Sequence, residues 1–211
     1  MFEATTSCMA SFEQPAKPLL IVLSGPSGAG KDAVLHRMKE TACPVVCIVT
    51  MTTRLRREYE KDKIDYHFVS KEKFQDMIKN DEFLEWARVY GNWYGSPKDA
   101  VRSALAAGQD VIVKVDTQGA AAIKRKVPQA VFVFLIPPTL EELVTRLRER
   151  HTESPEEFAL RTKMAAEEIK SLPMFDYVVV NRQGQLDLAV AEIKAIIAAE
   201  KCRVNPRDIK L

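Results

Sequence analysis

Leu19-Leu-Ile-Val-Leu-Ser-Gly25-Pro-Ser-Gly-Ala-Gly30-Lys31-Asp32 is the stretch on which the reading of this chain turns. Its apolar residues, Leu19 to Leu23, suit a buried strand, and the glycine-rich turn after them opens a helical run from Lys31 to about Ala42. Gly25, Gly30 and Lys31 satisfy the G-x-x-x-x-G-K part of a phosphate-binding loop, in the strand–turn–helix setting that motif requires. Glycines there let backbone N–H groups converge on phosphate oxygens, the helix N-terminus adds partial positive charge, and Lys31 brings a mobile cation to the outer phosphates. Gly25-Pro26-Ser27-Gly28-Ala29-Gly30-Lys31, with Asp32 and Ala33 behind it, is therefore the candidate cradle for the phosphates of a nucleotide. The motif asks for Ser or Thr after the lysine, whose hydroxyl helps to hold Mg²⁺. Asp32 stands there instead; it can bind Mg²⁺ and suits the helix dipole, yet it repels a triphosphate unless a cation neutralises it.

Apolar, β-rich runs recur at 19–23, 45–49, 111–115, 131–136 and 177–180, with helical stretches between them. Nearly continuous apolar runs are what parallel strands look like when helices cover both faces of a sheet. The expected fold is α/β, a P-loop NTPase fold with a central five-stranded, mainly parallel sheet flanked by helices. Such sheets bind ligands beyond the carboxyl ends of their strands, where the glycine loop lies. Helix starts are marked at Ser96-Pro97, with Pro97 read as N1 and Gly108 as the stop, and by capping boxes at Thr139-Leu-Glu-Glu142 and Ser154-Pro-Glu-Glu157. From Leu186 to about Lys201, Leu186, Val190, Ile193 and Ile197 share one helical face for core packing. Residues 203–211 read as a loose end.

Residues 50–96 break this alternation. Thr50-Met-Thr-Thr-Arg54-Leu-Arg56-Arg57 is polar and basic, strand-like pieces at Tyr66–Val69 and Phe83–Trp86 surround a helix near Lys71–Lys79, and Tyr90-Gly-Asn-Trp-Tyr94-Gly-Ser96 follows. An insert rich in Arg, Tyr, Trp and hydroxyls, facing the glycine loop, suits a phosphate acceptor. With few apolar residues it is expected to lean on the main core rather than build its own.

Composition excludes several other classes. A length of 211 residues suits one domain with small inserts. A formal net charge of +2 gives no global pull toward nucleic acid or an anionic membrane, and neither is expected as a partner. Four Cys without a C-x-x-C pair and three separated His suggest no zinc site and fit a reduced, cytoplasmic setting. No apolar run approaches the roughly 18 residues of a membrane span. Residues 1–17 carry no basic n-region or long apolar h-region and no Arg, so they are read as a flexible tail rather than a secretory or organelle signal.

Gly25-Pro-Ser-Gly-Ala-Gly-Lys31, Thr52-Thr-Arg54, Asp65-Tyr66, Phe83-Leu-Glu85-Trp86, Gly91-Asn-Trp-Tyr94-Gly-Ser96, Val115-Asp116-Thr-Gln-Gly119, Pro137-Pro138 and Val178-Val-Val-Asn181 together resemble the guanylate kinase family, in order and at that family's spacings. The likeness runs from about Pro18 to Lys201. It implies transfer of the γ-phosphoryl group of ATP to GMP, giving ADP and GDP, with Mg²⁺ accompanying ATP and a monomer or homodimer as the working unit. It also implies a core of 18–49, 97–137 and 172–201, a small α+β GMP-binding insert at 50–96, a helical lid at 138–171 and a C-terminal tail at 202–211. On the family's pattern Arg54 and Arg57 hold the GMP phosphate, whose oxygens suit guanidinium forks, and Tyr66 and Tyr94 add phenolic hydroxyls. Glu85 would accept hydrogen bonds from guanine N1–H and the 2-amino group, with Thr50 and Ser96 on the base edge and Asp116 alongside. Arg146, Arg150 and Arg161 would come from the lid onto the phosphates, joining Lys31 and Arg54 as catalytic cations, and Asn181 would lie near the adenosine end of ATP. Lys61 and Lys63 read as solvated charge, Trp86 and Trp93 as packing.

Two positions depart from the family's pattern: Asp32 with Ala33, where Ser or Thr is usual, and Lys114, where an acid usually stands two residues before Asp116. Residues 114 and 116 project from the same face of a strand, so Lys114 is expected to point toward the site and pair with Asp32 or Asp116. Asp32 would then take over part of the Mg²⁺ shell. A rival reading is a guanylate-kinase-like module that binds a protein or phosphopeptide through the old GMP pocket. A third is a kinase for another small phosphorylated acceptor.

Overall fold

The computed structural model describes residues 17–89, 91–148 and 155–211, and of residues 155–161 the backbone alone. Arg150, the helix start at Ser154, the chain before residue 17 and the side chain of Arg161 lie outside the described residues. The chain enters through β1 (Leu20–Ser24), turns at the glycine loop into α1 (Lys31–Glu40) and returns as β2 (Val45–Cys47). The insert holds β3 (Met51–Thr52), β4 (His67–Phe68), α2 (Lys71–Lys79), β5 (Phe83–Val89) and β6 (Asn92–Pro97). Alternation resumes with α3 (Lys98–Ala106), β7 (Asp110–Lys114), α4 (Thr117–Lys126), β8 (Val131–Ile136), α5 (Leu140–Arg148), α6 (Pro155–Ile169), β9 (Tyr177–Val180) and α7 (Leu186–Lys201).

Five strands form one sheet in the order β2-β7-β1-β8-β9, with every pairing parallel. Central β1 explains its unbroken apolar run. Ile21 and Leu23 pack with Val34, Leu35 and Met38 of α1 and Val190 and Ile193 of α7. Leu20 and Val22 face the other way, onto Val101 of α3 and Ala120 and Ile123 of α4. Both faces are thus covered, and a polar residue at any of these positions would be buried without a partner. Gly25 ends the strand at φ 140°, where an added Cβ would lie 2.0 Å from Leu135 O of β8. Only glycine lets the chain turn this close to the neighbouring strand.

The insert forms a second sheet, β4-β3-β6-β5. It has a small core of its own, which corrects the expectation that it leans wholly on the main one. Phe74, Met77 and Phe83 are buried together, Phe74 stacking on Phe83 at 4.5 Å and meeting Trp93 edge-on at 5.4 Å. Aromatic rings bury enough area for a few residues to suffice. Alternation along β5 divides the work, because the next residue, Leu84, packs into the main core. A second correction concerns Ser96-Pro97. β6 continues through Pro97, which takes the N-cap position of α3 without a side-chain cap, and Ser96 turns its hydroxyl to Glu85 instead. At the start of α5, by contrast, the Glu142 N–H donates to Thr139 Oγ1 at 3.1 Å, as a capping box requires.

Residues 203–211 form no regular element, yet they are not loose. Arg207 forks onto Glu200 at 2.7 and 2.8 Å and donates to Ala130 O at 2.9 Å, while Ile209 packs against the main core. Glu200 is 2% exposed, so its charge depends on its partners, Arg207 and the Tyr177 hydroxyl, which donates to it at 2.6 Å. Arg207→Ala is expected to lower the unfolding free energy by about 3 kcal/mol, because it removes the forked counter-charge of a buried carboxylate and leaves the Tyr177 hydroxyl, at 2.6 Å, as its close partner. Arg203 lies 3.7 Å from the same carboxylate and is half-exposed; Arg203→Ala should change stability by no more than about 0.5 kcal/mol. Urea midpoints of the two variants provide the check, and equal losses would contradict it.

Candidate active site

A cleft opens between the glycine loop and the insert, with Ser27, Gly28, Gly30, Lys31 and Asp32 on the loop side. Lys31 Nζ folds back to donate to Gly25 O and, at 3.1 Å, to Pro26 O, which closes the loop around its own cation. Asn181 Nδ2 donates to Ala29 O at 2.9 Å, and Arg146 links Asn181 O, at 2.7 Å, to the Glu142 carboxylate. Asn181 and Arg146 therefore brace the loop, and neither is among the residues lining the cleft; nor are Gly25, Pro26, Ala29 and Ala33. Glu168 of α6 does line it, its Oε2 accepting from the Ser27 N–H at 3.4 Å. Burial pulls the Lys31 ammonium below its ordinary pKa against the opposing pull of Glu168 and Asp32. Burial likewise pushes the Glu168 carboxyl up, with Lys31 opposing. Nothing in the spacing of α6 sets Glu168 apart from Glu167, so the sequence carried no signal for it.

The opposite wall brings together Thr50, Arg54, Arg57, Tyr66, Glu85 and Tyr94, with Lys114 and Asp116 at the end of β7. Arg54 makes a two-pronged pair with Glu60 at 2.7 and 3.0 Å, and Arg57 reaches the same carboxylate at 3.7 Å. Glu60 also accepts from the Arg57 N–H at 2.9 Å. It is buried, and it holds both guanidinium groups on one loop. An acid inside a run of basic residues was the available sign of it. Burial works against the Arg54 charge, but Glu60 and Tyr94 outweigh it and raise its pKa.

Glu85 owes its place to strand pairing. β5 and β6 set it opposite Ser96, whose Oγ donates to Glu85 Oε1 at 2.8 Å. Gly119 leaves the room it needs, since a Cβ there would sit 2.6 Å from Glu85 Oε2. Ser96 thus stands behind the carboxylate rather than on the cleft wall. Burial pushes the Glu85 carboxyl up to about 7, with the Ser96 hydrogen bond opposing. Asp116 caps α4, its Oδ1 accepting from the Gly119 N–H at 2.8 Å, and burial pushes its pKa up too. Lys114 Nζ is ion-paired with the Asp32 carboxylate and lies 4.0 Å from the centre of the Tyr66 ring. Chemically, the cleft offers cations and loop amides for phosphate at one level and a buried carboxylate–hydroxyl pair for a donor-bearing ring at another.

The profile of the guanylate kinase family matches residues 17–200. This chain belongs to the guanylate kinase family. It is 47% identical over 187 residues to the guanylate kinase of Desulfitobacterium hafniense, covering 89% of this chain and 92% of that relative. Guanylate kinase 2, chloroplastic/mitochondrial, of Oryza sativa subsp. japonica is 42% identical over 208 residues, 98% of this chain and 73% of that relative. The crystal structure of guanylate kinase from Anaplasma phagocytophilum superposes with a TM-score of 0.72 at 30% identity, over 90% of this chain and 89% of that one.

The buried Glu85 makes the stability of this guanylate kinase pH-dependent. A carboxyl whose pKa is higher in the folded than in the unfolded chain contributes stability that is complete below the unfolded value, here 4.5, and is lost as pH rises through about 7. The Tm of the unmodified protein is therefore expected to fall, relative to that of Glu85→Gln, between about pH 5 and pH 8. A Tm difference that stays constant over that range would contradict the assignment.

Proposed function

We propose that this guanylate kinase transfers the γ-phosphoryl group of ATP to GMP, producing ADP and GDP. The observation that carries the reading is a single cleft with Lys31 and the loop on one side and Arg54, Arg57 and Glu85 on the other. ATP would lay its phosphates on the loop amides and Lys31, and GMP would lay its phosphate on Arg54 and Arg57 with the Tyr66 and Tyr94 hydroxyls. Ionised Glu85 would accept from guanine N1–H and the 2-amino group. Adenine lacks that pair of donors. Thr50 and Asp116 line the same cleft and would complete the base contact. Phosphoryl transfer depends on in-line positioning and charge neutralisation, which is what a row of cations between two phosphates supplies.

Arg146, Arg150 and Arg161 belong to the proposal as lid cations that reach the phosphates on closure and help to keep water out; their support is the family's pattern. Asn181 near the adenosine end of ATP is supported by its contact with the loop at Ala29. Mg²⁺ is proposed to arrive with ATP and to neutralise phosphate charge when bound. Asp32 and Asp116 give the cleft wall the hard oxygen donors that suit this ion, and Asp32 is the proposed contact. Among the described residues no group of three or more such ligands converges, so phosphate oxygens and water would complete the shell. Cys43, Cys47 and Cys202 are free thiols among the described residues, and a reducing, cytoplasmic setting is part of the proposal. Among the described residues no helix is long and apolar enough to cross a membrane.

The test is ADP release from ATP·Mg²⁺ with GMP, AMP, UMP or dTMP as acceptor. Release with GMP alone is expected, and equal release with AMP would overturn the role given to Glu85. In Lys31→Ala, transfer should fall by at least about a hundredfold while GMP affinity stays unchanged. Loss of GMP affinity to the same degree would contradict the division of the cleft into donor and acceptor sides.

A further inference from the structure

Lys114 touches both halves of the cleft. Its Nζ pairs with Asp32 on the donor loop and sits over the Tyr66 ring, 4.0 Å from its centre, on the acceptor side. The Lys114 side chain is 10% exposed, against 56% for Asp32. Water therefore does little to satisfy the ammonium, and its protein partners set its position. Its own carbonyl accepts from Thr50 Oγ1 at 3.4 Å, which ties the same residue to the floor of the acceptor pocket. Asp116 is committed elsewhere, to the Gly119 N–H at the start of α4. The other charged groups lining the cleft are Lys31, Arg54, Arg57, Glu85, Asp116 and Glu168, of which Arg54 also lies over the Tyr66 ring, at 5.3 Å.

Two separable consequences follow from this geometry. Without the Lys114 cation, the Asp32 carboxylate would turn more net negative charge toward incoming phosphates, close to where Lys31 must meet them. Without the ammonium against its ring, Tyr66 would lose its nearest cation and keep only the looser ring contacts with Arg54, Phe68 and Tyr94. We propose that Lys114 is a positioning residue for both substrates, cancelling the charge of Asp32 so that the donor's phosphates are accepted and fixing Tyr66 so that its hydroxyl meets the acceptor's phosphate. This rests on the donor and acceptor sides assigned above.

The experiment is equilibrium titration of the full chain with ADP and, separately, with GMP, in EDTA so that no metal takes part. Lys114→Ala is expected to weaken both nucleotides by about tenfold. Adding Asp32→Ser to it should restore ADP to within about threefold of the unmodified protein and leave GMP weak. A residue that merely supported the fold would impair both ligands together and show no such split. Recovery of neither nucleotide, or of both, overturns the proposal. Asp32→Ser alone keeps the cation and supplies the check that survives if Lys114→Ala does not fold: ADP should bind at least as tightly as to the unmodified chain, and weaker binding overturns the proposal. Binding of ADP and GMP by the unmodified protein, measured in the same series, tests the underlying reading separately.

Discussion

The close passage of Gly25 against Leu135 O is the constraint on which the rest depends. β1 is the middle strand of a sheet covered on both faces, so its chain can leave only at the carboxyl end, through a gap that admits no side chain. From there the loop curls around Lys31 Nζ and is braced from behind by Asn181 and Arg146. The loop amides are thereby ordered when the protein folds. A nucleotide finds its phosphate cradle already formed, and little of its binding energy is spent on ordering it.

Charge in the cleft follows a consistent logic. Three of the carboxylates that face the cavity, Glu85, Asp116 and Glu168, are pushed toward their neutral forms by burial, and Lys31 is pulled toward its own. Arg54 and Lys114 escape the same fate through partners: Glu60 with Tyr94 in one case, Asp32 with Tyr66 in the other. A cleft with polar groups held away from water gains from phosphate and base donors what burial has cost it, because each arriving group replaces a missing partner rather than a hydration shell. The same balance explains why an acid after the loop lysine is tolerated: its counter-charge lies on the adjoining strand.

Much of this was legible from local pattern. The apolar runs located the five core strands within a residue or two, because burial on both faces leaves no room for polar positions, and α7 was marked by its spacing. What escaped is set by contacts distant in the chain. Ser96 looked like a helix cap, but register with β5 turned its hydroxyl to Glu85. Glu168 meets Ser27 across 141 positions, and Arg207 reaches Ala130 across 77, and no window of sequence contains both partners. The parity argument for Lys114 held for its direction. It could not choose between Asp32 and Asp116, because β7 ends at Lys114 and the chain at Asp116 already belongs to the cap of α4.

The central claim is that one cleft holds donor and acceptor side by side, phosphates facing. It is tested most directly with a single molecule in which adenosine and guanosine are joined through a polyphosphate bridge, titrated into the full chain preloaded with ADP and with GMP. One bridged molecule should bind per chain and displace both nucleotides. Displacement of only one, or binding of two bridged molecules per chain, would mean that the loop and the insert do not form a common site.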